Sequence, residues 1–533
     1  MKMRILRVAG ALACLTFLSV EPAPAEPTTQ AQALHVLNRL AFGPRPGDLQ
    51  RVMQMGVDRY IDEQLHPETI PLPADLSERL TKLSEGEMAQ PDLIITYRKV
   101  IKAAMEDGTG GAPGGGLAMR NALYKQMAVH FGELRLIPAI ESPRQLEEVM
   151  VDFWFNHFNV VAGKGLDHVL IGDYERYAIR PYVMGDFRDL LGATAKHPAM
   201  LFYLDNWLSA SPTADSRARV PGTRKTVDGL NENYARELME LHTIGVDSGY
   251  SQADVTTLAR MLTGWSFDPR RADNNQSFRF FPGLHDYGDK MWRGQPVPVK
   301  GSGEGEWALD VLASSPATGR QIAYELAQYF VADDPPPELV DRLAQRFLQT
   351  DGDIRAVLTT LFASPEFRDL ANFDVKFKTP YQYVISAVRA AGVPVNNVRP
   401  LLAALTRMGM PLYGCQSPDG YKNTEEGWLN PDALAQRASF ATGIGLGRSP
   451  LGALIDDGAS DSPYANASSD MPSQASVPSK AVASADGPPL DPNALLATLG
   501  SQISAQTRKQ IAARDPSTLS AALVLGSPDF MRR

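Results

Sequence analysis

One spacing in this chain constrains its fold more than any other feature. Gly185-Asp186-Phe187-Arg188 precedes Pro198 as Gly352-Asp353-Ile354-Arg355 precedes Pro365, and an apolar residue follows two positions on, Met200 and Phe367. A weaker echo runs from Pro516 to Pro528 and Phe530. In the last two copies Ser-Pro-Glu-Phe and Ser-Pro-Asp-Phe read as helix starts: serine caps, proline opens, and an acid sits beside the positive end of the helix dipole. Units of this kind are helix-turn-helix pieces that must bury their apolar stripes on one another. Three loose copies support a packed helical body and not a solenoid.

Helical periodicity elsewhere agrees. Leu34, Leu37, Leu40 and Ala41 share one face near the start of the chain, and residues 91–105 and 117–131 read as two more helices. Ser142-Pro143 opens a helix that runs through Asn159, on which Leu146, Val149, Met150, Phe153, Trp154 and His157 follow helical spacing. The expected fold class is therefore mainly α: a multi-helical globular body of helix-hairpin units with long irregular loops. One small β-hairpin insertion is expected near 265–290, where Trp265 to Phe267 and Ser277 to Phe281 lose helical periodicity. Residues 108–116, GTGGAPGGG, lack the Lys-Ser/Thr ending of a phosphate loop and read as a linker.

Residues 1–25 carry a basic start, an apolar run and Ala23-Pro24-Ala25, the pattern of a cleaved export signal. The expected location is periplasmic or secreted. Ala11-Leu12-Ala13-Cys14 is a partial lipoprotein box with a short apolar run broken by Arg7, which leaves lipidation as the alternative processing. No later segment is long and apolar enough to span a bilayer. Cleavage after Ala25 leaves Cys415 alone, so no intrachain disulfide is expected, and a buried thiol is favoured over a nucleophile. The formal charge of −9 gives no electrostatic footprint for nucleic acid. The domain plan is a signal peptide at 1–25, a helical domain at 26–455 with a hairpin and loop insertion at 265–305, a disordered Ser/Ala/Pro-rich insertion at 456–491, and C-terminal helices at 492–533 that pack back on the same body.

Polar groups are densest in residues 231–265, NENYARELMELHTIGVDSGYSQADVTTLARMLTGW. A first helix is expected from Asn231 to about Ile244, with Asn233, Glu237 and Glu240 on a polar stripe and Glu232, Arg236 and Glu240 at self-pairing spacing. His242 falls near its end, where a protonated imidazole suits the negative pole and a neutral one can ligate metal. Ser251 caps a second helix, Gln252 to about Thr263, and the two form an αα-hairpin. His157, with Asn156 beside it, and the His285-Asp286 pair with Lys290 on a loop complete the candidate set.

The 231–265 stretch closely resembles the signature of a large bacterial family called domain of unknown function 1800. HVLNRLAFGPRPGDL from His35, FWFNHFNV from Phe153, HPAMLFYLDN from His197, HDYGDK from His285 and the closing LGSPDFMRR agree with it. The resemblance covers nearly the whole mature chain and brings no established activity. It implies a partner, because genes of the family often neighbour those of a second secreted family resembling alkaline phosphatases.

Two functional readings stand. One is a hydrolase-like or metal-assisted enzyme acting on an envelope or extracellular polymer, with Asn156, His157, Asn233, Glu237, Glu240, His242, His285 and Asp286 as candidate catalytic residues. Glu237, His242 and His157 would be the ligands of a divalent metal cofactor. The other is a non-catalytic binding or assembly factor for secreted or surface material. No His-Glu-x-x-His or Gly-x-Ser-x-Gly is present to decide between them. An enzyme should bring the polar groups into a water-accessible pocket, whereas a factor should tie them up inside the fold.

Overall fold

A computed structural model describes residues 28–533 apart from 86, 108–114, 213–228, 275, 454–486 and 514–518. The expected signal peptide and nearly all of the expected insertion at 456–491 lie outside the described residues. Among those described, twenty-three α-helices and only two small two-stranded sheets make a mainly α fold. Among the described residues no helix is long and apolar enough to cross a membrane.

Many helix starts carry local caps, of which those at Ser251 and Ser364 are read from the sequence. Thr29, Ser251 and Thr379 each close a capping box, in which side chain and backbone satisfy each other's orphan groups. Ser315, Ser364, Asn430 and Asp491 cap helices whose first residue is proline. Antiparallel pairs then stack their apolar stripes, among them Gln90–Asp107 with Gly115–Glu141 and Pro316–Phe330 with Pro337–Gln349. Their buried faces join one core, through which Trp154, Phe158, Phe187 and Phe347 run as successive ring contacts. The C-terminal helices do pack back, Ser520–Leu525 against Pro431–Gly445.

The repeated Gly-Asp segments meet each other. Phe187 N donates to Gly352 O and Ile354 N to Gly185 O, both at 3.0 Å, so Asp186 and Asp353 form an isolated antiparallel bridge. Each segment leads into a helix and a second, proline-started helix: Phe187–Lys196 then Pro198–Tyr203, and Ile354–Ala363 then Pro365–Arg368. The third copy departs from this plan. Ser527 Oγ accepts from Phe530 N as a cap does, but the chain continues as a turn and Arg532 bridges Phe377. Pro516 lies outside the described residues.

Several boundaries differ from the sequence reading. The second helix of the first long pair runs to Glu141 and not Phe131, with Pro138 tolerated inside it. The next helix is Gln145–His157, so Ser142-Pro143 does not open it; Ser142 Oγ instead takes the Arg144 N–H in the turn before. The insertion holds two ladders, Trp265–Phe267 with Phe278–Phe280 and Met291–Trp292 with Gln295–Pro296.

Candidate functional site

The central hairpin forms as Asn233–Glu240 and Gln252–Leu262, with the first helix nearly two turns shorter than expected. Asn231 does act at its start, as Oδ1 accepts from Asn233 N at 2.8 Å. The charges do not self-pair along the helix. They cross to its partner: Arg236 donates to Gln252 at 2.7 Å, Gln252 to Glu232 at 2.6 Å, and Thr256 to Glu232 at 2.7 Å. Glu240 accepts from the Tyr250 hydroxyl, and Asn233 is exposed. Glu237 is half-buried; burial, and then the Glu240 charge, push its carboxyl above the usual range.

His157 and His242 do come together, in the core. His157 Nδ1 lies 2.7 Å from Glu325 Oε2, a partner with no place in the sequence reading, and its Nε2 lies 3.3 Å from the His242 carbonyl oxygen. The two rings are 6.3 Å apart. His242 is 1% exposed and its Nε2 has no hydrogen-bond partner. Burial, helped by the charge of His157, brings its pKa down to about 3, so of the two states open to it from the sequence, protonated or neutral, the neutral one holds. Among the described residues no three His, Cys, Asp or Glu are grouped to hold a metal ion, so Glu237, His242 and His157 do not make that set.

The remaining candidates are structural ties. Asn156 clamps a loop by its backbone, accepting from Tyr421 N at 2.7 Å and donating to Tyr421 O at 2.8 Å. A Cβ on the neighbouring Gly420 would stand 2.3 Å from the Asn156 carbonyl oxygen, so the approach requires glycine. His285 Nδ1 lies 2.8 Å from Thr263 O, at the end of the second hairpin helix. Its Nε2 faces the fully buried Glu304 at 3.5 Å, and Lys290 Nζ meets the same carboxylate at 2.7 Å. Burial raises the Glu304 carboxyl, but the contacts with His285 and Lys290 outweigh it and hold it below the usual range. Asp286 is bound by Arg260 at 2.8 Å, which lowers its carboxyl. The eight candidates therefore do not share one pocket. Cys415 is buried, and burial raises its thiol, as an inert cysteine requires.

The large cleft lies elsewhere. A cavity of about 580 Å3 opens between the Gln90–Asp107 helix, the Asp167–Tyr174 helix, the Phe187–Lys196 helix and the first β-hairpin. Its wall carries a connected polar group. His197 Nε2 is 2.8 Å from Asp173 Oδ2, Gln90 Nε2 donates to the same oxygen at 2.6 Å, and Gln90 Oε1 accepts from Ser277 N at 2.8 Å. All three side chains belong to buried residues at the cavity lining. Ala199 N donates to His197 Nδ1 at 3.1 Å. A backbone N–H offers only a proton, so Nδ1 is the acceptor and Nε2–H donates to Asp173. Further round, Lys196 and Arg188 bind Glu306 at 2.9 and 2.8 Å, and Arg176 pairs with Glu87.

Two features mark this cleft as built for more than packing. The Asp167–Tyr174 helix continues into a π-helix, Glu175–Ile179, which places Arg176 and the exposed Tyr177 at the cleft. Helices keep such i to i+5 turns rarely and often at functional sites. The second feature comes from the internal repeat. Where the second copy caps its proline-started helix with Ser364, the first uses His197 at the same spacing. Serine would serve the cap equally well, and the imidazole adds the link to Asp173 that serine cannot reach. His197, Asp173, Gln90 and Lys196 were missed in the sequence. Two signals were available for His197: the repeat, which sets it against Ser364, and the family-signature segment HPAMLFYLDN that it opens.

Comparison with known proteins returns one match: a family model described as "Protein of unknown function (DUF1800)" covers residues 35–532. No curated protein and no solved structure matches. The matched span includes the whole cleft and the central hairpin. The chain belongs to the DUF1800 family.

Proposed function

We propose that this protein is a binding or assembly factor that holds a neutral, hydroxyl- and amide-rich segment of an envelope or extracellular polymer in the Gln90–Asp173–His197 cleft. One observation carries the reading: Glu87, Asp173 and Glu306 each already face a cation or an imidazole across the cleft wall. With Glu87 and Glu306 ion-paired and Asp173 held by hydrogen bonds from His197 and Gln90, the wall favours ligands that hydrogen-bond over ligands that bring net charge. Asn274 and Gln276 supply amides, which both donate and accept as a hydroxyl requires. Tyr177, Tyr182 and Phe278 supply apolar faces. The export signal expected at 1–25 supports an envelope or extracellular setting. The secreted partner resembling alkaline phosphatases, which the family resemblance implies, would act on the same material.

Hydrolysis is the second reading, favoured by the His–Asp pair at the wall. His197 weighs against it, since Nδ1 holds the helix cap and Nε2–H is committed to Asp173. Neither nitrogen is free to take a proton from water.

Calorimetric titration with neutral, acidic and basic oligosaccharides tests the proposal. The neutral series should bind to wild-type protein without turnover. Lys196→Ala and His197→Ser should weaken it about tenfold or more, a loss of roughly 1.4 kcal/mol. His197→Ser keeps a capping side chain but loses the link to Asp173, so its thermal midpoint should fall, and affinity is compared at a temperature where both proteins are folded. Preference for a charged series, or unchanged affinity in both variants, would refute the proposal. Turnover that stops in His197→Ser would establish the hydrolytic reading instead.

A further inference from the structure

Beside the cleft lies a smaller cavity of about 230 Å3, and Phe131 and Arg176 line both. Its apolar side is Leu72, Leu80, Leu134 and Pro138. Most of its charges are internally matched. Arg180 forks onto Glu148 at 2.6 and 3.0 Å, while Glu175 takes Arg135 at 2.8 Å and the Tyr413 hydroxyl at 2.8 Å.

Two lining groups are not matched in this way. Arg144 donates Nε to Ile70 O at 2.8 Å, but among the described residues no carboxylate lies within ion-pair distance of its guanidinium. Glu147, one helical turn away, makes no hydrogen bond or ion pair among the described residues. Burial, and then the Glu148 charge, raise its carboxyl, while Arg180 and Arg144 oppose the rise. A cation and a carboxyl therefore line one apolar cavity without touching each other. That arrangement is complementary to a ligand carrying both a carboxylate and an amine on a short aliphatic body. The volume lies below the ~300 Å3 where sites for drug-sized molecules begin, which limits the occupant to one or two residues.

We propose that this cavity binds the carboxylate-bearing end of a small apolar peptide, or a free amino acid. The carboxylate would meet Arg144, the ammonium Glu147, and the aliphatic side chain Leu72, Leu80 and Leu134. Guanidinium and carboxylate suit each other because two N–H groups can reach both oxygens in one plane. This site stands independently of the polymer reading of the larger cleft.

Titration with alanyl-leucine, alanyl-leucine amide and N-acetyl-alanyl-leucine tests it. Wild-type protein should bind alanyl-leucine, and bind the amide and the acetylated form at least about tenfold more weakly. Arg144→Ala should abolish the preference for acid over amide. Glu147→Gln should abolish the preference for the free amine, and it keeps the side chain's shape if Arg144→Ala fails to fold. Lys196→Ala, in the larger cleft, should leave the binding of all three compounds unchanged. Equal binding of the three compounds, no binding of alanyl-leucine at millimolar concentration, or loss of binding in Lys196→Ala would each overturn the proposal.

Discussion

At the scale of single residues, two buried histidines do different work. His197 lines a cleft and is held at both nitrogens, whereas His242 sits in the core with Nε2 unpaired and a pKa of about 3. The second case has a measurable consequence. An unfolded imidazole titrates near about 6.5, so between there and about 3 the unfolded chain takes up a proton that the native state refuses. The stability that neutral His242 contributes is full above about pH 6.5 and is lost progressively as the pH falls toward 3. Replacing His242 by leucine should flatten the stability–pH curve over that window by up to about 1.4 kcal/mol per pH unit. His157 and Glu325 remain in both proteins, so the difference isolates His242. Urea unfolding at pH 7, 6, 5 and 4 checks this, and parallel curves for the two proteins would contradict it. The sequence showed His242 beside an apolar stripe but not which way it faced. Where the helix ended decided that: the last turn opens at Glu240 and carries the imidazole into the core.

At the scale of elements, the cleft depends on how the Asp167–Tyr174 helix and its π-helical continuation sit against the long Gly115–Glu141 helix. Gly172 sets that distance. A Cβ there would lie 2.1 Å from Phe131 Cδ1, and Phe131 lines both cavities. Gly172→Ala should gain helix propensity and lose more through overpacking, with a net cost of about 1–3 kcal/mol. It should also displace the Phe131 ring and weaken ligand binding. Denaturant titration reads the first effect and calorimetry the second; a variant as stable as wild type would contradict the close packing. Elements of this kind were unevenly legible. Ser251 and the Ser364-Pro365 start announced themselves, because capping is local chemistry, whereas Ser142-Pro143 and Ser527-Pro528 carry the same local pattern in turns. The π-helix and the true length of the Gly115–Glu141 helix did not, because tertiary packing decides them and Pro138 reads locally as a stop.

At the scale of the whole molecule, the helical class, the central hairpin and the return of the C-terminus were visible in the sequence. The site was not. Density of polar residues in 231–265 pointed to chemistry there, but in a large helical body such groups also serve as ties. Asn156 with Tyr421 joins elements 265 residues apart, while His285 with Glu304 and Glu232 with Gln252 tie elements close in the chain. The cleft draws its wall from residues 90, 173, 196 and 197, whose separation along the chain hides their meeting. The duplicated Gly-Asp unit linked one of them to a position where serine would have sufficed. The central claim is that this cleft, and not the central hairpin, contacts the ligand. Backbone hydrogen exchange, with and without the best neutral oligosaccharide, tests it most directly. Slowed exchange in residues 87–93, 173–178 and 188–198, with 233–242 unchanged, is the expected result. Slowed exchange confined to 233–242 would contradict it.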